Sequence, residues 1–234
     1  MKRRHSLWVA VCPGLALLAT IGLAVAALLG GSMDARGLGA MALLAGILLV
    51  TGAGLQMRVL QTVQQKNRLG RRVVCLLGVL YVIVLCALLF LGRPQYAVWS
   101  STMNGSERLM YNANLIPFRT IGGYARALLR GSINASIVVE NVLGNALLFL
   151  PMGMLLPRLC RRMRKWLPFI LCMLGMLCAV EMLQWLTYTG SMDVDDVLLN
   201  LLGACVGFAL YRSRWVQRLC RKLYLVPRPT AKTY

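Results

Sequence analysis

Six runs of mostly apolar residues, each about 20 long, divide this chain, and that length narrows what it can become. At about 1.5 Å per residue, some 20 residues of helix match a hydrocarbon core about 30 Å thick. The runs are Leu7–Gly30, Leu38–Val59, Val73–Gly92, Ile137–Pro157, Trp166–Tyr188 and Asp193–Tyr211. A hydrophobic content of 59% exceeds that of a soluble domain of 234 residues. The expected fold is all-α, a polytopic membrane bundle of about six transmembrane helices. The first run follows Lys2, Arg3 and Arg4 as in a signal peptide, but it is long for one and no small-x-small cleavage site follows. It is read as a retained helix.

The formal net charge of +19 would suggest nucleic acid in a soluble protein. Here the basic residues fall between apolar runs, where they mark the cytoplasmic side and attract anionic headgroups; no nucleic acid partner is expected. With the N-terminus inside, the inner segments hold 20 of the 26 Lys and Arg and the outer ones 6. This predicts N-in/C-in topology, a multi-pass protein of the cell (plasma) membrane with the lipid bilayer as its first partner. Three regions follow: 1–72, two N-terminal spans and a polar, basic loop (Gln61–Arg72); 73–213, the main membrane domain; 214–234, a basic, disordered cytoplasmic tail.

The only histidine, His5, lies in the N-terminal tail, so His-based catalysis and His-ligated zinc are not expected. Eight cysteines form no C-x-x-C pair and lie in apolar runs or inner segments, so free thiols are expected. No metal or cofactor is expected. In the one long non-spanning segment, Ile121, Tyr124, Ala125, Leu128 and Leu129 fall at helical spacing with Arg126 and Arg130 opposite. That pattern predicts a short helix lying in the membrane interface.

Of only seven acidic residues, three (Asp193, Asp195 and Asp196) fall within four positions at the start of the last run. Carboxylates beside hydrocarbon need partners. The topology brings them to the same outer side as Asn114 and Arg119. By helical rise, Asn145, Glu181 and Asn200 lie roughly 9–12 Å below that surface. Asn141 and Asn145 stand i, i+4; Glu181 and Gln184 stand i, i+3; Asp196, Asn200, Gly203 and Gly207 continue one face. These spacings predict a polar seam inside the bundle, with Gly203-x-x-x-Gly207 allowing close helix approach. Amides in membrane helices also simply join helices, Glu140 can sit among headgroups, and one Asp suffices to cap a helix. Three Asp invite a further role. Arg119 is either a headgroup anchor or a partner of the aspartates or of an anionic ligand.

Four blocks carry a resemblance: N-A-N-L-I-P-F-R at 112–119, N-V-L-G-N-A-L-L-F-L-P-M-G at 141–153, E-M-L-Q at 181–184 and D-V-D-D-V-L-L-N-L-L-G at 193–203. In this order they resemble the VanZ-like family of bacterial membrane proteins, named after a protein associated with resistance to the glycopeptide teicoplanin. The resemblance covers about residues 73–213, and the first two spans look like an addition. The family pattern has an Arg shortly before the first Asp of the D-x-D-D block, where this chain has Gly190, Ser191 and Met192. The resemblance therefore implies that Arg119 or a cation neutralises the carboxylates here.

Together these readings predict an outward-facing polar, acidic pocket formed by Asn114, Arg119, Glu140, Asn141, Asn145, Glu181, Gln184, Asp193, Asp195, Asp196 and Asn200. It would engage a lipid-linked wall precursor or a lipoglycopeptide, with teicoplanin-type resistance as an outcome. The alternative is a membrane enzyme acting on a polyprenyl- or lipid-phosphate headgroup, with Glu181, Asp193, Asp195 and Asp196 as the catalytic candidates. Transport ranks lowest, because no inverted repeat is visible and the polar groups stay in one half of the bilayer.

Overall fold

The computed structural model describes residues 35–90, 104, 106–107 and 112–226; the predicted first span lies outside them. The protein is all-α. Its described elements are α1 (Ala35–Val59), α2 (Val63–Phe90), β1 (Ala113–Asn114), α3 (Arg119–Leu129), α4 (Ala135–Leu148), α5 (Leu150–Leu159), a 3-10 turn (Arg161–Arg164), α6 (Trp166–Leu186), β2 (Met192–Asp193), α7 (Val194–Arg212) and α8 (Arg214–Lys222). Among the described residues, five helical stretches are long and apolar enough to cross a membrane: those in α1, α2, α4 with α5, α6 and α7. The chain divides into two compact units, one built from α1, most of α2 and α8, the other spanning Leu89–Arg212.

In the first unit, α2 begins ten residues before the predicted span. The polar segment 61–72, expected as a loop, is helical from Val63 onward. The cause is a capping box. The Thr62 hydroxyl accepts the Gln65 N–H at 3.2 Å, and the Gln65 side-chain oxygen accepts the Thr62 N–H at 3.3 Å. Residues 64–69 are helix formers apart from Asn67, so nothing stops propagation once the first turn is closed. The tail is also ordered further than expected: α8 continues from Ser213, and Leu225 beyond it packs on a cluster of Leu49, Ala53 and Val73. Burial of that leucine outweighs the charge of its neighbours.

The second unit is organised around α7. The predicted single span at 137–157 is two helices, α4 and α5, meeting at Phe149. Pro151 has no N–H to donate to the carbonyl four residues back, and its ring crowds that turn, so the helix breaks just before it. The break turns Phe149 fully into the core. Phe169 of α6 stacks on Phe208 of α7 with centroids 4.4 Å apart, and Met173 and Leu177 complete the buried layer.

Close approach of backbones fixes how α7 meets α4 and α5. A Cβ placed on Gly203 would lie 1.6 Å from the carbonyl oxygen of Ala146, and one on Gly207 2.0 Å from that of Leu150. Only hydrogen fits at either position, so the small-residue spacing seen in the sequence is a helix-packing device. Leu202, Val206 and Leu210, at i, i+4 and i+8, remain exposed on α7 as a lipid-facing stripe. Gly203→Ala is therefore expected to lower stability in detergent by about 1–3 kcal/mol, the usual cost of forcing a methyl into a packed contact. Gly175→Ala, with no atom within 4 Å of its added Cβ, is expected to be neutral or slightly stabilising. Thermal melts of the two purified variants check this; equal melting points would contradict it.

Candidate functional site: an acid node at the head of α7

Two short segments, 112–121 and 192–196, come together at the start of α7. A minimal parallel pairing sets their register: Ala113 opposite Met192 and Asn114 opposite Asp193. The Met192 N–H donates to the Asn112 carbonyl at 2.9 Å. This register places the head of α7 directly against the start of α3.

Each of the three aspartates then has its own task. Asp193 caps its own helix: its Oδ1 accepts the Asp195 N–H at 2.8 Å. Its Oδ1 also accepts from Asn114 Nδ2 at 2.9 Å, and its Oδ2 from the Thr120 hydroxyl at 2.6 Å. Asn114 Nδ2 lies 3.0 Å from the same hydroxyl oxygen and donates to it as well. Asp195 caps a different helix. Fully buried, it accepts the Phe118 N–H on Oδ1 and the N–H groups of Thr120 and Ile121 on Oδ2, at 2.8 and 3.0 Å. These three donors include two of the orphan N–H groups of α3. Asp196, one residue on and about 100° further round α7, turns to α4 and accepts from Asn145 Nδ2.

The shape that lets Asp195 collect three donors is set by Phe118. Its φ of 65° puts it in the left-handed region, unusual for a residue with a side chain. A left-handed residue running into a right-handed helix makes a concave row of N–H groups, a nest that binds anions. The helix N-terminus adds its partial positive charge. The nest is filled from within the protein, by the carboxylate of Asp195.

Glu181 of α6 is buried, and its Oε2 accepts the Asp193 N–H at 3.0 Å, so α6 joins the node through the backbone of β2. Gln184, one turn on, is buried and donates from Nε2 to the carbonyl of Leu89, in the same unit, at 2.9 Å. Asn200 lies one turn below Asp196, 3% exposed, and its Oδ1 has no hydrogen-bond partner. The remaining expected residues lie elsewhere. Asn141 donates to the carbonyl of Ile137 in its own helix at 2.7 Å, and Glu140 is exposed on the outer face of α4. Arg119 is exposed, and backbone N–H groups, amides and a hydroxyl donate to the three aspartates. Among the described residues, no three His, Cys, Asp or Glu side chains converge as a metal-ligand set.

Sequence reasoning missed Thr120 and Asn112. Thr120 sits in the first turn of a short amphipathic helix, where a threonine reads as ordinary. Asn112 acts through its carbonyl, which no residue type announces.

The fold and this polar node define an all-α membrane protein with a buried acidic link between its helices. The family model described as VanZ/LLP1 matches residues 78–217, and the chain belongs to the VanZ-like family. None of the curated proteins or solved structures compared with the chain matches it.

Replacing Asp195 by Ala leaves three N–H groups without their acceptor, at a cost of roughly 1–3 kcal/mol. Asp195→Asn is expected to be less damaging, because its remaining oxygen can still accept from Thr120 and Ile121 while only the Phe118 N–H meets its amide. Hydrogen exchange checks this: the Thr120 and Ile121 amides should exchange on the order of tenfold faster or more in Asp195→Ala, while those in the middle of α7 keep their protection. Unchanged rates at Thr120 and Ile121 would contradict the capping role.

Proposed function

We propose that the chain is a multi-pass protein of the bacterial plasma membrane whose extracytoplasmic face engages a lipid-linked or lipophilic cell-envelope molecule. The observation that carries this reading is the hook held by Asp195. Leu115, Ile116 and Phe118 are 60–68% exposed on it, beside exposed Arg119, and exposed Arg126 lies about two helical turns further along α3. Three large apolar groups with one cation on the same turn and a second on the helix that follows suit a molecule with both an acyl chain and an anionic head. The carboxylates do not face such a ligand in this reading; they hold the surface that does. A lipid-anchored wall precursor and an acylated glycopeptide both have the required chemistry, and membership of the VanZ-like family favours the second.

The alternative, an enzyme acting on a polyprenyl- or lipid-phosphate headgroup, needs a carboxylate available for proton transfer or for a cation. Asp193 and Asp195 already accept from three internal donors each, which gives that reading less support.

Expression of the chain in a susceptible Gram-positive host tests the proposal. Tolerance of teicoplanin, which is acylated, is expected to rise while tolerance of vancomycin stays unchanged. Phe118→Ser and Asp195→Ala are expected to abolish the gain at equal protein level. No change for either drug, together with no lipid-linked saccharide in the extract of the purified protein, would overturn it.

A further inference from the structure

We infer that α8 is an amphipathic anchor that lies in the headgroup layer and binds anionic phospholipid. Its nine residues divide cleanly around the helix axis at 100° per residue. Arg214, Arg218, Arg221 and Lys222 occupy one arc, with no acid among them. Trp215, Leu219 and the following Leu223 occupy the next, and they are 71%, 44% and 49% exposed. Val216 and Cys220 lie beyond that arc and are half-buried. The exposed apolar stripe thus runs directly beside the cationic one. This is the arrangement of helices that float at a bilayer surface, with the aromatic and aliphatic groups dipped below the phosphates and the cations level with them.

Two further observations select a lipid surface as the occupant. The first is position in the chain: only Ser213 separates α8 from the end of α7, a helix long and apolar enough to cross a membrane. A bilayer surface is therefore within reach of every residue of α8.

The second observation is a clamp that fixes which side of α8 looks outward. After α8 the chain turns through Tyr224, in the left-handed region at φ 55°, and Leu225 enters the cluster between α1 and α2. The Tyr224 carbonyl lies against Gly70, where a Cβ would come within 1.8 Å of it. Lys66 Nζ stands 5.6 Å from the centroid of the Tyr224 ring. Exposed Arg68, Arg71 and Arg72 flank Gly70 on α2, so α2 carries further cations on the turns against which the chain after α8 is seated. Neighbouring cations repel unless anions lie between them. Anionic headgroups beside the span meet that need, and each Lys or Arg at the surface strengthens attachment several-fold.

The test uses the full chain in nanodiscs of phosphatidylcholine alone or with phosphatidylglycerol. The readout is quenching of Trp215 by lipids brominated on the acyl chain, taken as the difference between the natural protein and its Trp215→Phe variant. Strong quenching and a blue-shifted Trp215 emission are expected in the anionic discs, with both weaker in the neutral ones. The double variant Arg214→Gln, Arg218→Gln is expected to lower the embedded-to-free ratio on the order of tenfold in anionic discs. The same loss should follow from raising salt on the natural protein, which needs no folded variant. A water-exposed Trp215 in both disc types would overturn the inference. So would quenching that is equal in both disc types and indifferent to salt, which would point to apolar insertion alone. Shielding of Trp215 without quenching would assign the surface to a protein partner and overturn it too.

Discussion

A carboxylate buried in a membrane protein must be met by donors, and Asp195 is met by the backbone of a helix 75 residues away in the sequence. That obligation joins the two halves of the second unit more firmly than apolar contact, which is non-directional and has little preference between a leucine side chain and a lipid tail. A Leu-to-Leu contact in lipid tolerates sliding and rotation. Three N–H groups converging on one carboxylate do not, because moving α3 by one residue would leave donors facing carbon. The node therefore sets register and rotation, and the apolar helices fill in around it.

α7 can serve as the centre because successive positions on a helix face different neighbours. Asp195 looks to α3, and Asp196, 100° on, looks to α4. Gly203 and Gly207 continue the second direction and bring backbone against backbone. Leu202, Val206 and Leu210 face outward. The polar contacts are confined to the first turns and the glycines to the middle. The polar end specifies and the glycine stretch packs. This division keeps the expensive groups together, where they satisfy one another, and spares the rest of the helix any buried charge.

Much of this was legible in the sequence, and what was not shares a physical cause. The apolar runs and the amphipathic turn at 121–130 follow from residue type and spacing, whereas of the expected seam the structure shows Asn145 on Asp196 and Glu181 on the Asp193 backbone, with Asn141 bonded within its own helix. The 62–65 capping box is written as Thr-x-x-Gln ahead of a run of helix formers, in a segment whose charge reads as a loop. Backbone geometry was the hidden part. Nothing in N-A-N-L-I-P-F-R states that Phe118 adopts a positive φ, or that the flanking N–H groups form a nest. The pairing of Ala113 with Met192 joins segments whose side chains do not announce it. The donors to Asp195 are backbone N–H groups already ordered by the helix start; they carry no desolvation cost of their own ion and need no long side chain to be immobilised.

The same comparison changes how the acidic block should be understood. A cluster of carboxylates in a membrane segment invites the reading of a reactive or ion-binding centre. Here each carboxylate of the cluster is already met by the protein: Asp193 by its own helix, Asn114 and Thr120, Asp195 by the backbone of 118–121, Asp196 by Asn145 of α4. Together these bonds tie the head of α7 to the 114–121 segment and to α4. That is the geometry of a joint. The side chains left facing outward by the joint are Leu115, Ile116, Phe118 and Arg119, and they come from the block that contains no acid at all. In the proposed reading the two blocks are a support and a surface. Removing either carboxylate hydrogen-bonded to the 114–121 turn would loosen that surface without touching anything bound to it. An effect of such a substitution on activity is therefore expected for a positioning group as much as for a catalytic one, and the protection of the Thr120 amide separates the two cases.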